Sequence, residues 1–124
     1  MKYSESLKKN RDFQSVYQFG KSAGNRYLVM YVKENGKRIN RLGISVSKKV
    51  GNSVVRHRMT RLVRESYRLS EERFVEGTDI IVIVRPGAKE RNFFEIESAL
   101  LHLAGKQGIL RRIGEKNENE VHSD

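Results

Sequence analysis

The chain has 124 residues and 37% hydrophobic composition, which fits one domain built around one core. Cysteine is absent, which excludes disulfides and thiolate metal sites, and no stretch has the pattern of a secretory signal or a membrane span, so we expect a cytoplasmic protein. The 25 Lys and Arg residues outnumber 15 acidic residues, and the resulting net charge of +10 indicates a polyanionic partner.

A helix is predicted near the start of the chain. Asn10 is a candidate cap for this helix, and Phe13, Val16 and Tyr17 recur at the spacing of one helical face. Gly20 follows these residues, and a glycine at this position is typical of a helix end.

Alternating segments follow this helix. The segment NRYLVMYVKENG alternates as a strand and ends at Asn35-Gly36, a dipeptide that predicts a hairpin turn. Residues 37–47 would form the return strand, with Leu42 and Ile44 facing one way and small residues facing the other. Because this return is long, a bulge could divide it, and we expect two or three strands here.

A long helix is predicted from a cap at Asn52 or Ser53 to about Leu69. One face of this helix carries a stripe suited to packing on a sheet, formed by Val55, Met59, Leu62, Ser66 and Leu69. The opposite face is basic and carries His57, Arg61, Arg64 and Arg68, while Arg56 and Arg58 flank the stripe.

The remaining elements are a strand and a last helix. Residues 78–84, TDIIVIV, form a continuous β-branched run of the kind that is buried on both faces, so we expect this strand at the centre of the sheet. After a turn at Pro86-Gly87, Asn92 and Glu95 are spaced as a capping box for a helix that ends near Gly105. The predicted order is αβββαβα, an α+β fold.

Positive charge is concentrated between Arg41 and Arg68, where eight Lys and Arg side chains face a single acid, Glu65. Most charged helix faces are solvated surfaces, but those faces mix signs, because like charges at helical spacing repel by tenths of a kcal/mol per pair. A polyanion would reverse that repulsion. Arginine outnumbers lysine in this segment, and planar guanidinium groups suit phosphates and bases, which favours RNA or DNA.

The segment KKVGNSVVRHRMTRLVRE resembles the signature of the bacterial ribonuclease P protein family. The resemblance extends from about residue 7 to residue 103 through LKKNRDFQSVYQFGKS, NRYLVMYV, LGISVSKKVGN and DIIVIVRP. It implies a single αβββαβα domain with a small mixed sheet packed against helices and a left-handed βαβ crossover, against the general right-handed preference. The family usually has Asn where this chain has His57, which leaves the role of that position open.

The resemblance also implies a function. The chain would be the protein subunit of a ribonucleoprotein endonuclease that removes the 5′ leader from precursor tRNA, with the catalytic RNA and the precursor as partners. The chemistry would belong to the RNA, magnesium is expected for the holoenzyme, and the protein alone would bind no small-molecule cofactor. The residues agree with this division, because the sequence contains no acid and base pair and no metal-ligand spacing, so we predict no catalytic or metal-binding residue.

Two binding surfaces are predicted. The surface for the catalytic RNA comprises Lys48, Lys49, Asn52, Arg56, His57, Arg58, Arg61, Arg64 and Arg68. The second is a groove for the single-stranded leader, with small residues as its floor and aromatic residues as its walls: Phe13, Tyr17, Tyr27, Tyr31, Gly43 and Ser45. Spacing alone favours core packing for the aromatic residues of the first helix, whereas the resemblance favours the groove.

The chain is predicted to form one RNA-binding domain over residues 1–114, followed by a disordered acidic tail over residues 115–124. A structural protein that binds ribosomal RNA, without an enzymatic role, fits the composition and the charge equally well. A DNA-binding module and a nuclease that acts without RNA are weaker alternatives.

Overall fold

The computed structural model describes residues 1–112, and the predicted tail at 115–124 lies outside them. Over the described range, the chain forms three α-helices and one five-stranded sheet. None of these helices is both long enough and apolar enough to cross a bilayer. The elements are β1 (Ser4–Ser6), α1 (Asn10–Phe19), β2 (Lys21–Gly24), β3 (Leu28–Glu34), β4 (Asn40–Ser45), α2 (Ser53–Ser70), β5 (Thr78–Val84) and α3 (Phe93–Lys106).

The sheet is mixed, and its strand order is β1-β4-β5-β3-β2. β5 lies at the centre, as its continuous apolar sequence predicts, and pairs in parallel with β4 and antiparallel with β3. β1 pairs in parallel with β4 at one edge, and β2 pairs antiparallel with β3 at the other. The α+β fold is therefore confirmed. The left-handed crossover from β4 through α2 to β5 stays a prediction.

The predicted hairpin between β3 and the following strand is wrong. β5 lies between β3 and β4 and forms hydrogen bonds with both, so these two strands do not pair. Asn35 nevertheless stabilises a local turn, because its side-chain oxygen accepts a hydrogen bond from the Lys37 amide at 2.8 Å. Its side-chain nitrogen donates to Asp79 on β5 at 2.9 Å, so the turn packs against the central strand.

Two short strands were not predicted. β1 has three residues and β2 has four, and neither contains an alternating apolar pattern. Residues 37–47 contain one strand, β4, and are not divided into two strands, so the third strand between α1 and α2 is β2. The edge strand β1 is held partly by Glu71, whose carboxylate accepts hydrogen bonds from the Lys2 and Tyr3 amides at 2.7 and 2.9 Å.

The main core lies between one face of the sheet and helices α2 and α3. Leu28, Met30 and Val32 of β3 point into it, as their alternation predicts. α3 begins with the predicted capping box, in which Asn92 and Glu95 satisfy each other's backbone amides at 2.9 and 3.2 Å.

The buried stripe of α2 differs from the predicted one. Leu69 is 57% exposed, whereas Val63 and Tyr67 are fully buried. Tyr67 tolerates this position because its hydroxyl lies 2.6 Å from the Ser4 hydroxyl and accepts a hydrogen bond from Asn40. Hydrogen bonds to distant segments therefore allow Tyr67 to be buried, which an apolar pattern alone does not predict.

The second sheet face is only partly covered, by α1. α1 lies across β3 and β5, and Val16 is fully buried against Ile81. The helix begins at Asn10 itself, after Lys9, so the prediction that Asn10 is the cap is wrong. Gly20 ends the helix as predicted, and it is needed there because a β-carbon would lie 2.5 Å from the Val16 carbonyl oxygen.

Candidate nucleic-acid interface

The loop before α2 places two lysines beside the start of that helix. Lys48 and Lys49 are exposed, and buried Val50 anchors the turn that carries them. Gly51 is required because a β-carbon there would lie 2.8 Å from the Val55 side chain. Asn52 then caps α2 by accepting a hydrogen bond from the Val55 amide at 3.0 Å, as predicted.

The outer face of α2 is exposed and basic. His57, Arg61 and Arg64 are all exposed, and within residues 1–112 neither arginine forms an ion pair. Arg68 differs, because it forms a close ion pair with Glu65 one turn earlier. The hydrogen bond from Arg68 lowers the pKa of Glu65. Within the described residues, a carboxylate thus compensates the charge of Arg68 but not that of Arg61 or Arg64.

Arg58 is exposed but already forms hydrogen bonds with the chain. Its two terminal nitrogens donate to the carbonyls of Lys89 and Arg91, at 3.1 and 2.9 Å. Arg58 thereby attaches the loop before α3 to the start of α2. Its predicted contact with RNA stays a prediction, but the side chain also has this structural role.

Arg56 is partly buried at a pocket between the end of β4 and the start of α2. This pocket has a volume of about 310 Å³, and Ile44, Ser53 and Thr60 contribute to its lining. The Nε atom of Arg56 is buried and has no hydrogen-bond partner among the described residues. Buried donors of this kind are normally satisfied, so this nitrogen is an exception among the described residues.

Arg41 is counted with the basic residues of α2 in the sequence, but it lies on β4 and binds carboxylates of other segments. Its guanidinium forms a bidentate pair with Asp79 at 2.8 and 2.6 Å and also contacts Asp12 at 3.3 Å. Burial raises the pKa of Asp79, but hydrogen bonds from Arg41 and Asn35 outweigh it, so this pKa lies below its usual value. Arg41 is thus a structural cation beneath α1.

A cluster of aromatic residues lies on the partly covered sheet face. The Phe13 and Tyr17 rings are 6.4 Å apart, and Tyr17 meets Tyr31 edge-on at 5.0 Å. Gly43 forms the floor, because a β-carbon there would lie 2.6 Å from the Phe13 ring. Burial raises the pKa of the Tyr17 hydroxyl, and the Ser45 side chain partly offsets this effect.

Five of the six predicted groove residues therefore lie on one sheet face, and Tyr27 does not. Tyr27 precedes β3, in a turn stabilised by Asn25. The side-chain oxygen of Asn25 accepts hydrogen bonds from the Tyr27 and Leu28 amides at 3.2 and 3.0 Å. The turn directs Tyr27 toward the main core, where the Arg91 guanidinium lies 5.3 Å from its ring centre. The prediction from strand alternation is wrong for Tyr27 because β3 begins only at Leu28.

The aromatic cluster and the basic helix are connected by a short stretch of chain. Ser45 is the last residue of β4, and α2 begins at Ser53. Beside the cluster, Val29 and Ile83 are only partly buried, so the face continues past Tyr31 as an open surface. An extended polymer on this face could therefore follow the strands.

The family model described as Ribonuclease P matches residues 1–108. The chain belongs to this family. The ribonuclease P protein component of Lachnoclostridium phytofermentans is 61% identical over 107 residues, covering 86% of this chain and 92% of the relative. That of Alkaliphilus metalliredigens is 51% identical over 110 residues, covering 89% and 99%.

Solved ribonuclease P proteins share the fold. The Staphylococcus aureus RNase P protein is 38% identical, with a TM-score of 0.79 and coverage of 86% of this chain and 97% of that protein. The RNase P protein from Thermotoga maritima is 33% identical, with a TM-score of 0.76 and coverage of 82% and 96%. The resemblance noted from the sequence is thus confirmed.

Proposed function

We propose that this chain is the protein subunit of a ribonuclease P ribonucleoprotein that removes the 5′ leader from precursor tRNA. The observation that carries the proposal is the arginine face of α2, which is exposed and lies close in the chain to an aromatic groove. Within residues 1–112, Arg61 and Arg64 on this face have no carboxylate partner. Family membership supplies the class of partner.

The outer face of α2 would bind the catalytic RNA through its phosphates. Each phosphate that a cation neutralises releases condensed counterions, which favours binding and makes it depend on salt. Arg61 and Arg64 offer exposed guanidinium groups that form no ion pair within residues 1–112. Lys48 and Lys49 extend the same positive surface to the start of the helix.

The groove would hold the single-stranded leader. Tyr17 and Tyr31 meet edge-on, and Tyr17 is 38% exposed, so part of its ring remains open to a base. Stacking of a base on an aromatic side chain contributes on the order of 1–3 kcal/mol and tolerates any sequence, as a subunit acting on many precursors requires. Gly43 keeps the floor low enough for Phe13 to pack over it.

The role of the protein would be binding and positioning. Within residues 1–112, no three His, Asp or Glu side chains are grouped so as to hold a metal ion, and we derive no step through one. We assign the phosphodiester chemistry and the magnesium requirement to the RNA. By holding the leader, the protein would favour precursor over mature tRNA.

Purification under native conditions, followed by reconstitution, tests the proposal. We expect one RNA of a few hundred nucleotides to copurify, and we expect that RNA plus this protein to remove the leader from precursor tRNA. Copurification of ribosomal RNA, with no effect on cleavage, would support a structural ribosomal role instead. Cleavage by the protein in magnesium without RNA would contradict the assignment of chemistry to the RNA.

A further inference from the structure

His57 is the one residue of the predicted surface for the catalytic RNA whose charge can change near neutral pH. The other cations of this surface are the arginines of α2 and the two lysines of the loop before it, and both residue types stay protonated well above pH 7. An imidazole ordinarily exchanges its proton at about pH 6.5. The charge of the surface therefore depends on pH at a single position.

His57 lies on the same side of α2 as the two arginines that form no ion pair in the described range. It is exposed, and Arg61 and Arg64 follow it at the spacing of one helix face. Side chains one helical turn apart have β-carbons about 5–6 Å from each other. A phosphate that binds Arg61 would therefore lie within reach of the His57 ring.

The ring of His57 has no partner among residues 1–112. Over that range it forms no hydrogen bond and no ion pair. The acid of α2, Glu65, lies more than two turns further along the helix and is paired with Arg68. The segments beside the start of α2 contribute two apolar residues and five charged ones, most of them cations: Ile44, Val46, Lys48, Lys49, Lys89, Glu90 and Arg91.

A concave site borders the ring. His57 and Arg56 line the pocket of about 310 Å³ at the start of α2, together with the hydroxyl residues Ser53 and Thr60. A neutral imidazole presents one N–H donor and one acceptor nitrogen, whereas a protonated imidazole presents two donors and a positive charge. Because a backbone phosphate offers negative charge and acceptor oxygens, it is complementary to the protonated ring.

The sign of the pH effect follows from linkage. An opposite charge nearby favours the charged form of a titrating group, so a phosphate beside His57 favours the protonated imidazole. The complex then binds more protons than the separate chain and RNA. The association constant therefore rises as the pH falls through the range in which imidazole titrates, and it levels off below that range.

We propose that protonated His57 binds a phosphate of the catalytic RNA, so that docking of the RNA takes up a proton. This inference rests on the proposed function, which supplies the RNA as the partner. It makes assembly of the ribonucleoprotein tighter in mildly acidic than in mildly alkaline solution.

The test measures the dissociation constant of the full chain with the catalytic RNA at about pH 5.5 and about pH 8, on either side of the ordinary imidazole pKa. We expect binding to be about three- to fivefold tighter at the lower pH, which is the gain from one exposed charge pair. The magnitude of the salt slope should also be larger there by about 0.7–0.9, since one more phosphate is neutralised. Circular dichroism at both pH values checks that the helix is retained.

Two variants of His57 separate its charge from its shape. His57→Asn keeps a hydrogen-bond donor but carries no charge, so it should lose the pH response of both the affinity and the salt slope. His57→Lys is charged at both pH values, so it should show the larger salt slope at both. A pH response that persists in His57→Asn would overturn the inference, because the proton would then bind elsewhere.

The other two histidines provide matched controls. His102 lies on α3, outside the predicted surface for the catalytic RNA, and His122 lies outside the described residues. His102→Gln and His122→Gln should each retain the full pH response. Loss of the response in either control, with His57→Asn unaffected, would assign the proton to that histidine and refute the role of His57.

The outcomes also separate this inference from the proposed function. If the unmodified chain binds the catalytic RNA equally well at both pH values, only the role of His57 is refuted. If the chain binds no such RNA at either pH, the proposed function fails, and this inference fails with it.

Discussion

The ion pairing of α2 predicts different contributions from arginines on the same helix. Arg61 and Arg64 are exposed and form no ion pair within the described residues, whereas Arg68 is paired with Glu65. If Arg61 and Arg64 each neutralise one phosphate, replacing both with Gln should lower the magnitude of the salt slope, d log K/d log[salt], by about 1.4–1.8. Arg68→Gln should lower the magnitude of the salt slope by less than half of the change expected for Arg61 or Arg64 alone, because Glu65 already compensates the charge of Arg68.

The assay is the dissociation constant of the catalytic RNA, measured by filter binding across a series of salt concentrations. Circular dichroism should show that all variants retain the helix, since Arg61, Arg64 and Arg68 are exposed. Equal slope changes for Arg61, Arg64 and Arg68 would refute the reasoning that intrachain pairing decides which cations bind RNA. An unchanged slope for the double variant would refute the docking surface itself.

Three further predictions concern the groove and the core. Tyr17→Ala and Tyr31→Ala should each weaken the binding of precursor tRNA about fivefold or more and leave the binding of mature tRNA unchanged. Equal losses of affinity for both RNAs would refute the assignment of the groove to the leader. Asp79→Ala removes the bidentate partner of the partly buried Arg41, so it should lower the unfolding free energy, measured by urea denaturation, by about 2–4 kcal/mol. Asp12→Ala removes only the longer contact and should lower it by less than about 1 kcal/mol. The pKa of Asp79 is lower in the folded state than in the unfolded state, so ionised Asp79 stabilises the fold fully above about pH 4. This stabilisation is lost as the pH falls through the pKa of the folded state. The unfolding free energy of Asp79→Ala should therefore fall less steeply with decreasing pH than that of the unmodified protein.

Local patterns predicted the elements whose signals are local. The β-branched run of β5 and the capping residues Asn52 and Asn92 each act within a few positions, and all three are confirmed. The Asn35-Gly36 dipeptide is also a local signal, and it does predict a turn. It could not show that β5, more than forty residues later, enters between the flanking strands. Strand pairing is decided by long-range contacts that a turn sequence does not contain.

The candidate site shows the same division. The exposure of Arg61 and Arg64 follows from their position on a helix, so the sequence was sufficient to predict it. The partners of Arg41 and Arg58 are Asp79 and the carbonyls of Lys89 and Arg91, all on other segments. Charge counting treats every arginine as equivalent, and only the tertiary structure separates free cations from those already bonded.

The two carbonyls held by Arg58 create a competition. The two terminal nitrogens of Arg58 carry four N–H groups, and two of these donate to the Lys89 and Arg91 carbonyls. A phosphate that takes over one of those two N–H groups displaces the carbonyl bound to it. Docking of RNA that displaces a carbonyl would loosen the segment that precedes α3, and an ordered segment would oppose that docking by the same free energy, since linkage is reciprocal. Hydrogen exchange at the Lys89 and Arg91 amides, with and without the catalytic RNA, would measure that exchange of partners.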